Sequence, residues 1–144
     1  MRVDVVTFEE LRRELQTHRH ERRELFDLPD TSLPSGDTPS PARFLPEFDN
    51  LLLSHSNRTR VIAEEHRSKV FLAGLRVAAT VLLDGFVRGV WKIEKKKDAA
   101  TLVIEPFEKL SKQDRTALIG EGERLVRFVE EKAKSFDVRF AEQA

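Results

Sequence analysis

An α+β fold is what this 144-residue sequence predicts, on three observations. Over residues 79–92, two runs rich in β-branched and aromatic residues flank Asp84-Gly85, a dipeptide that tolerates the positive φ of a two-residue I′ turn. Residues 100–107 are again strand-like and extend that hairpin into an antiparallel meander. After Ser111, which has Asp114 three positions on, the pattern turns helical, with Leu118, Leu125, Val129 and Ala133 as an apolar stripe that closes over the sheet. The expectation is a small antiparallel sheet or partial barrel of about three to five strands packed with two or three helices.

The remaining elements follow in chain order. Thr7 and Glu10 have the spacing of a capping box, and Phe8, Leu11 and Leu15 share a helical face. A helix over residues 8–18 is expected, with Arg12, Arg13 and Arg19 on its wet side. Residues 24–28 read as a short extended piece. Pro29, Pro34, Gly36, Pro39 and Pro41 then exclude helix and central strand. The organisation expected is an N-terminal segment over 1–28, a Pro/Ser/Asp-rich linker over 29–42, and an α+β module over 43–144. Within that module, Pro46, Phe48, Leu51 and Leu52 predict a short buried helix over 45–53. Residues 64–67 add a helical turn before 70–72 extends. In the second strand of the hairpin, Val87, Gly89, Trp91 and Ile93 share one face, and Gly89 marks a bulge or a close neighbour.

Composition narrows function. Lys plus Arg and Asp plus Glu both number 25, so no global field recruits polyanions. The distribution is uneven. Residues 24–42 carry the acids Glu24, Asp27, Asp30 and Asp37 without a Lys or Arg, whereas residues 43–76 set Arg43, Arg58, Arg60, Arg67, Lys69 and Arg76 against Glu47, Asp49, Glu64 and Glu65. Any basic surface is therefore local. With no cysteine there is no disulfide or thiolate metal site. No apolar leader or span-length run is present, which predicts a cytoplasmic protein without a membrane partner.

The candidate site is Asp49, Arg58 and Arg60. An acid at a short helix and two nearby arginines can meet in the fold, fixing guanidinium planes that suit phosphate oxygens. Alternatively, Asp49 caps the helix or pairs with one arginine to hold the loop. Arg67 and Lys69 join as helpers, and Arg43, His55 and Arg76 extend the face or form an ordinary solvated surface. Lys92 and Lys95, Lys96 and Lys97 sit at a turn, where solubility explains them as well as a duplex backbone does. His18-x-His20, His55 and His66 lack metal-ligand spacing, and neither metal nor cofactor is expected. Trp91 lies on the strand face of Val87 and Ile93, which makes it a core residue rather than a base-stacking one. No P-loop, G-x-S-x-G or G-x-G-x-x-G occurs.

The order Phe44, Leu45, Pro46, Phe48, Asp49, Leu51, Leu52, Leu53, Arg58, Arg60, then Val81, Asp84, Gly85, Gly89 and Trp91, resembles the C-terminal part of a known family. It is the winged-helix DNA-binding family that includes bacterial glycosylases able to unhook interstrand crosslinks. The resemblance implies double-stranded DNA as partner and a place in DNA repair. In that family tandem winged helices form a concave, positively charged surface, and the glycosylases rely on a Gln-x-Gln motif near the N-terminus. Gln16, Gln113 and Gln143 are isolated here, so no catalytic residue carries over. The expected function is an accessory module making nonspecific phosphate contacts. Two alternatives stand beside it: an interaction or dimerisation module completing a missing winged-helix partner or a second copy, and the C-terminal part of a split glycosylase.

Overall fold

The computed structural model describes residues 5–20 and 22–141, so the outermost ends of the first and last expected segments lie outside it. The fold is α+β, and it groups into two compact units, Met1–Thr38 and Pro39–Ala144.

The first unit holds helix α1 (Val5–Leu11), a 3-10 turn at Arg12–Glu14, and strands β1 (Gln16–His20) and β2 (Arg23–Asp27). β1 and β2 pair antiparallel from Gln16 opposite Asp27 onward. The expected helix over 8–18 is thus corrected: it starts before Thr7 and stops at Leu11, and His18 lies on a strand. An isolated strand at 23–27 would leave its backbone donors and acceptors unpaired, and residues 16–20 supply them with partners. Phe8 meets Phe26 edge to face at 5.3 Å between centroids, and the Arg12 guanidinium lies over the Phe26 ring while pairing with Glu24. Residues 28–42 form no helix or strand, as their prolines dictate, and all but the buried Ala42 are exposed.

The second unit is built on a five-stranded sheet. Its strands are β3 (Arg43–Leu45), β6 (Thr80–Leu83), β7 (Phe86–Lys96), β8 (Ala99–Pro106) and β9 (Ser135–Phe140), hydrogen-bonded in that order. Two short strands, β4 (Phe71–Leu72) and β5 (Arg76–Val77), form a separate hairpin. The β6–β7 hairpin turns at Asp84 and Gly85, with φ of 50° and 77°, the left-handed pair that the Asp-Gly dipeptide predicts. The meander from β6 to β8 is antiparallel, but β9 runs parallel to β8 and was not foreseen. It is reached by a crossover through helix α4 (Lys112–Val129), which makes the sheet mixed, and the sheet does not close into a barrel.

One correction changes the faces of the sheet. Val81 pairs with Gly89 whereas Leu82 pairs with Val87, so Arg88 is an extra residue on β7. A bulge of this kind swaps the side-chain alternation. Val87 therefore leaves the face of Trp91 and Ile93 and packs with Leu82 on the other. Gly89 is required beside the bulge, because a Cβ there would stand 2.6 Å from the Glu105 carbonyl oxygen.

The larger core lies under α4, where Leu118 and Val126 meet Val81, Leu83, Leu102 and Ile104. Ser111 caps this helix by accepting from the Asp114 amide at 3.1 Å. Val126 fills the stripe position expected of Val129, which is 49 % exposed, and Ala133 packs from beyond the helix end. On β9 the half-buried Phe136, Val138 and Phe140 alternate with the exposed Ser135, Asp137 and Arg139. The smaller core joins Leu52, Ile62, Val70, Val77, Leu82 and Val87. It is roofed by helices α2 (Asn50–Leu53) and α3 (Arg67–Val70), the latter entered through a 3-10 turn at Glu64–His66. The buried helix expected over 45–53 shrinks to one turn. Leu45 ends a strand, Phe48 adopts a positive φ of 59° and is half exposed, and only Leu52 is fully buried.

Candidate nucleic-acid interface

The segment from Asp49 to Lys69 is held by side chains bonding to backbone rather than by long elements. The Asp49 carboxylate accepts from the Leu51 amide at 2.8 Å, which caps α2. Of the two roles the sequence left open for Asp49, capping is the one observed; no ion pair involves it among the described residues. At the other end of α2, Arg58 Nε donates to the Leu52 carbonyl and Nη2 to the Leu53 carbonyl at 3.5 Å. Arg58 is a half-buried anchor that satisfies carbonyls the short helix leaves free.

The loop around Arg60 is then shaped locally. Asn57 Oδ1 accepts from the Thr59 amide at 3.0 Å and from its hydroxyl at 2.8 Å. The Val61 and Ile62 amides both donate to the Arg58 carbonyl at 2.9 Å. The Val87 amide donates to Val61 at 2.8 Å, which ties the loop to the sheet. Arg60 projects from this frame, exposed and without a side-chain partner among the described residues.

Arg58 and Arg67 are brought to one aromatic ring, their guanidinium carbons 4.9 and 5.8 Å from the Phe71 centroid. Arg67 also lies 3.4 Å from Glu64. Lys69 Nζ stands 5.0 Å from the centroid of Phe107. Sequence reading missed both platforms. Phe71 had a local signal, four residues after Arg67, whereas Phe107 is distant in sequence from Lys69. Cation–π contact of this kind orients a cation while leaving its remaining donors available.

The outlying residues do not join this arrangement as a uniform patch. Arg43 donates to the Ala42 carbonyl, Arg76 faces Glu47 at 3.9 Å, and His55 is exposed. Lys92 and Lys95 lie within β7 rather than at the turn, which is formed by Lys97 and Asp98, and they pair with Glu94 and Glu130, each at 2.8 Å. Trp91 belongs to the core, donating from Nε1 to the Leu45 carbonyl at 2.8 Å and meeting Phe44 edge to face. A cleft of about 620 Å³ has Val90 and Val103 among its lining residues, with Glu94, Glu105, Lys92 and Arg139 also lining it. Its charges are mixed. Hydrogen bonds from Lys92 and then Arg139 hold the Glu94 carboxyl below the usual carboxylate range. No described helix is long and apolar enough to cross a membrane.

No curated protein matches the chain in sequence. Among solved structures, the fold is similar to the Streptomyces sahachiroi DNA glycosylase AlkZ, with a TM-score of 0.70 and 27 % sequence identity. The match covers 93 % of this chain and 35 % of that one, so the chain spans about a third of AlkZ's length. The DNA glycosylase AlkZ-like family matches residues 6–128, taking in the β1–β2 hairpin, the Asp49–Lys69 segment and most of α4. By that match, this chain belongs to the AlkZ-like DNA glycosylase family.

Proposed function

We propose that this chain is a DNA-contacting module of a crosslink-repair glycosylase, which grips the phosphate backbone of double-stranded DNA without reading its sequence. The observation that carries this reading is the Asp49–Lys69 segment, where Arg58 anchors the loop that presents Arg60 while Arg67 and Lys69 are oriented over Phe71 and Phe107. Phosphate contacts supply affinity without base discrimination, which suits a chain of zero net charge with local cations. Family membership and the likeness to AlkZ support DNA repair as the setting. We place the chain as the C-terminal part of a winged-helix architecture, with residues 43–144 as the contacting module, in a cytoplasmic protein. We assign no catalytic residue to it, since Gln-x-Gln does not occur in the sequence.

Fluorescence anisotropy with labelled duplex DNA tests this. Three phosphate contacts, from Arg60, Arg67 and Lys69, cost about 40-fold in affinity between about 50 and 200 mM salt. Arg60→Ala and Lys69→Ala should each weaken binding uniformly across sequences and reduce the salt slope by about one. Absence of binding at the lower salt, or an unchanged slope in both variants, overturns the proposal. A second reading is an interaction module for a winged-helix partner or a second copy, with Leu75, 94 % exposed, and Phe128, 77 % exposed, as candidate anchors. Concentration-dependent oligomers without DNA binding would select it. Base release from damaged DNA would instead select the split-glycosylase reading.

A further inference from the structure

We propose that Glu65, His66 and Glu108 form a binding site for a divalent transition-metal ion. Their ligand atoms all lie within 4.8 Å of one another. His66 Nε2 is 3.3 Å from Glu108 Oε1 and 3.8 Å from Glu65 Oε1, so one imidazole nitrogen faces two carboxylates. The residue is more than nine-tenths buried, and its Nδ1 has no hydrogen-bond partner among the described residues. A ring so placed is fixed by packing: it lies 4.8 Å from the Phe107 ring, centroid to centroid, between the 3-10 turn and the segment that follows β8. The two carboxylates differ. Both are exposed and free to rotate, but Glu108 is also 3.7 Å from Arg88 through its other oxygen, which turns Oε1 toward the imidazole. Outer partners of this kind orient a metal-binding carboxylate.

One nitrogen and two oxygen donors suit a borderline ion better than a hard one. Zn²⁺ takes imidazole nitrogen and carboxylate oxygen at about 2.0–2.2 Å, whereas Mg²⁺ prefers an all-oxygen octahedron and keeps its waters. Rotation of the exposed Glu65 and Glu108 side chains draws the three atoms to those distances, leaving a coordination position open to solvent. A bound ion would clip the 3-10 turn before α3 to the start of the segment leading into α4. This site shares the Phe107 ring with Lys69 of the DNA-contacting proposal, but Zn²⁺ binding is read without DNA and does not depend on that reading.

Isothermal titration of the chelator-treated full chain with ZnCl₂ tests the assignment, with MgCl₂ as comparator. One Zn²⁺ per chain is expected, bound more tightly than Mg²⁺. Removal of a ligand should cost at least the roughly tenfold that loss of an outer-shell partner does, so Glu65→Gln and Glu108→Gln should each weaken Zn²⁺ binding by about tenfold or more. Both positions are exposed, so folding is retained, as far-ultraviolet circular dichroism would check. A His18→Asn/His20→Asn variant should bind Zn²⁺ as the parent does. Absence of Zn²⁺ binding, unchanged affinity in both glutamine variants, or loss of binding in the His18/His20 variant overturns the proposal.

Discussion

The two hydrophobic clusters of the second unit are built differently. Beneath α4, buried residues come from one long helix and the strands it spans, so regular backbone hydrogen bonding and apolar burial reinforce each other. On the other side, Leu52, Ile62 and Val70 come from one-turn helices and loop, which are too short to hold themselves. There the backbone is secured residue by residue: Asp49 caps, Arg58 takes two carbonyls, Asn57 folds the loop, and Val61 is tied to β7. The cations of the proposed DNA contact are all on this second layer. A rigid platform thus carries a layer of irregular backbone that can present charged side chains at positions no single element dictates.

The sharpest way to break the contrast is Leu118→Ala. Leu118 is fully buried under α4, and truncation should destabilise the protein by about 2–5 kcal/mol, read as a lowered denaturant midpoint. A loss comparable to a surface substitution would mean that α4 is not the centre of the platform. Arg58→Ala comes next. Deleting its hydrogen bonds to the Leu52 and Leu53 carbonyls should cost about 1.5–3 kcal/mol, in the range of hydrogen bonds to charged groups. Hydrogen exchange should then accelerate over residues 50–62 and leave α4 protected. Uniform acceleration across both clusters would erase the distinction.

The smallest effect concerns the cleft at the sheet. Glu94 is depressed by Lys92 and Arg139 in the folded chain. The sign is that of a lowered carboxylate: its stabilising contribution is present above the ordinary glutamate range and is lost as pH falls through the lowered value. Carbon-detected NMR titration should place the Glu94 transition below the ordinary glutamate range, and Arg139→Gln should move it upward. A Glu94 that titrates in the ordinary glutamate range would show that these surface pairs are screened away.

Much of the site's composition was legible in the sequence, but not its wiring. Asp49, Arg58, Arg60, Arg67 and Lys69 were all identifiable in a segment where four bases stand against the acids Asp49, Glu64 and Glu65. That Arg58 is spent on the carbonyls of Leu52 and Leu53 is set by how the one-turn α2 ends, whereas Phe107 receives both Lys69 and His66 through contacts between residues far apart in the chain. The histidine spacing suggested no metal ligands because Glu108 lies 42 positions beyond His66, and only the fold brings them within 3.3 Å.

What the sequence by itself determined was local: the Asp84-Gly85 turn, the Ser111 cap and the helix after it, the proline-rich break over 29–42, and the α+β class. Each rests on conformational preferences of a few neighbouring residues. The alternation of Phe136, Val138 and Phe140 was also present in the sequence, yet its meaning as a parallel edge strand required β8 beside it and α4 as the crossover. The tertiary structure alone decided the bulge at Arg88, which sends Val87 to the second core, and the shortening of the first helix in favour of a hairpin. In both, unpaired backbone groups and apolar faces find their partners across distant segments, and that choice is made by packing rather than by local propensity.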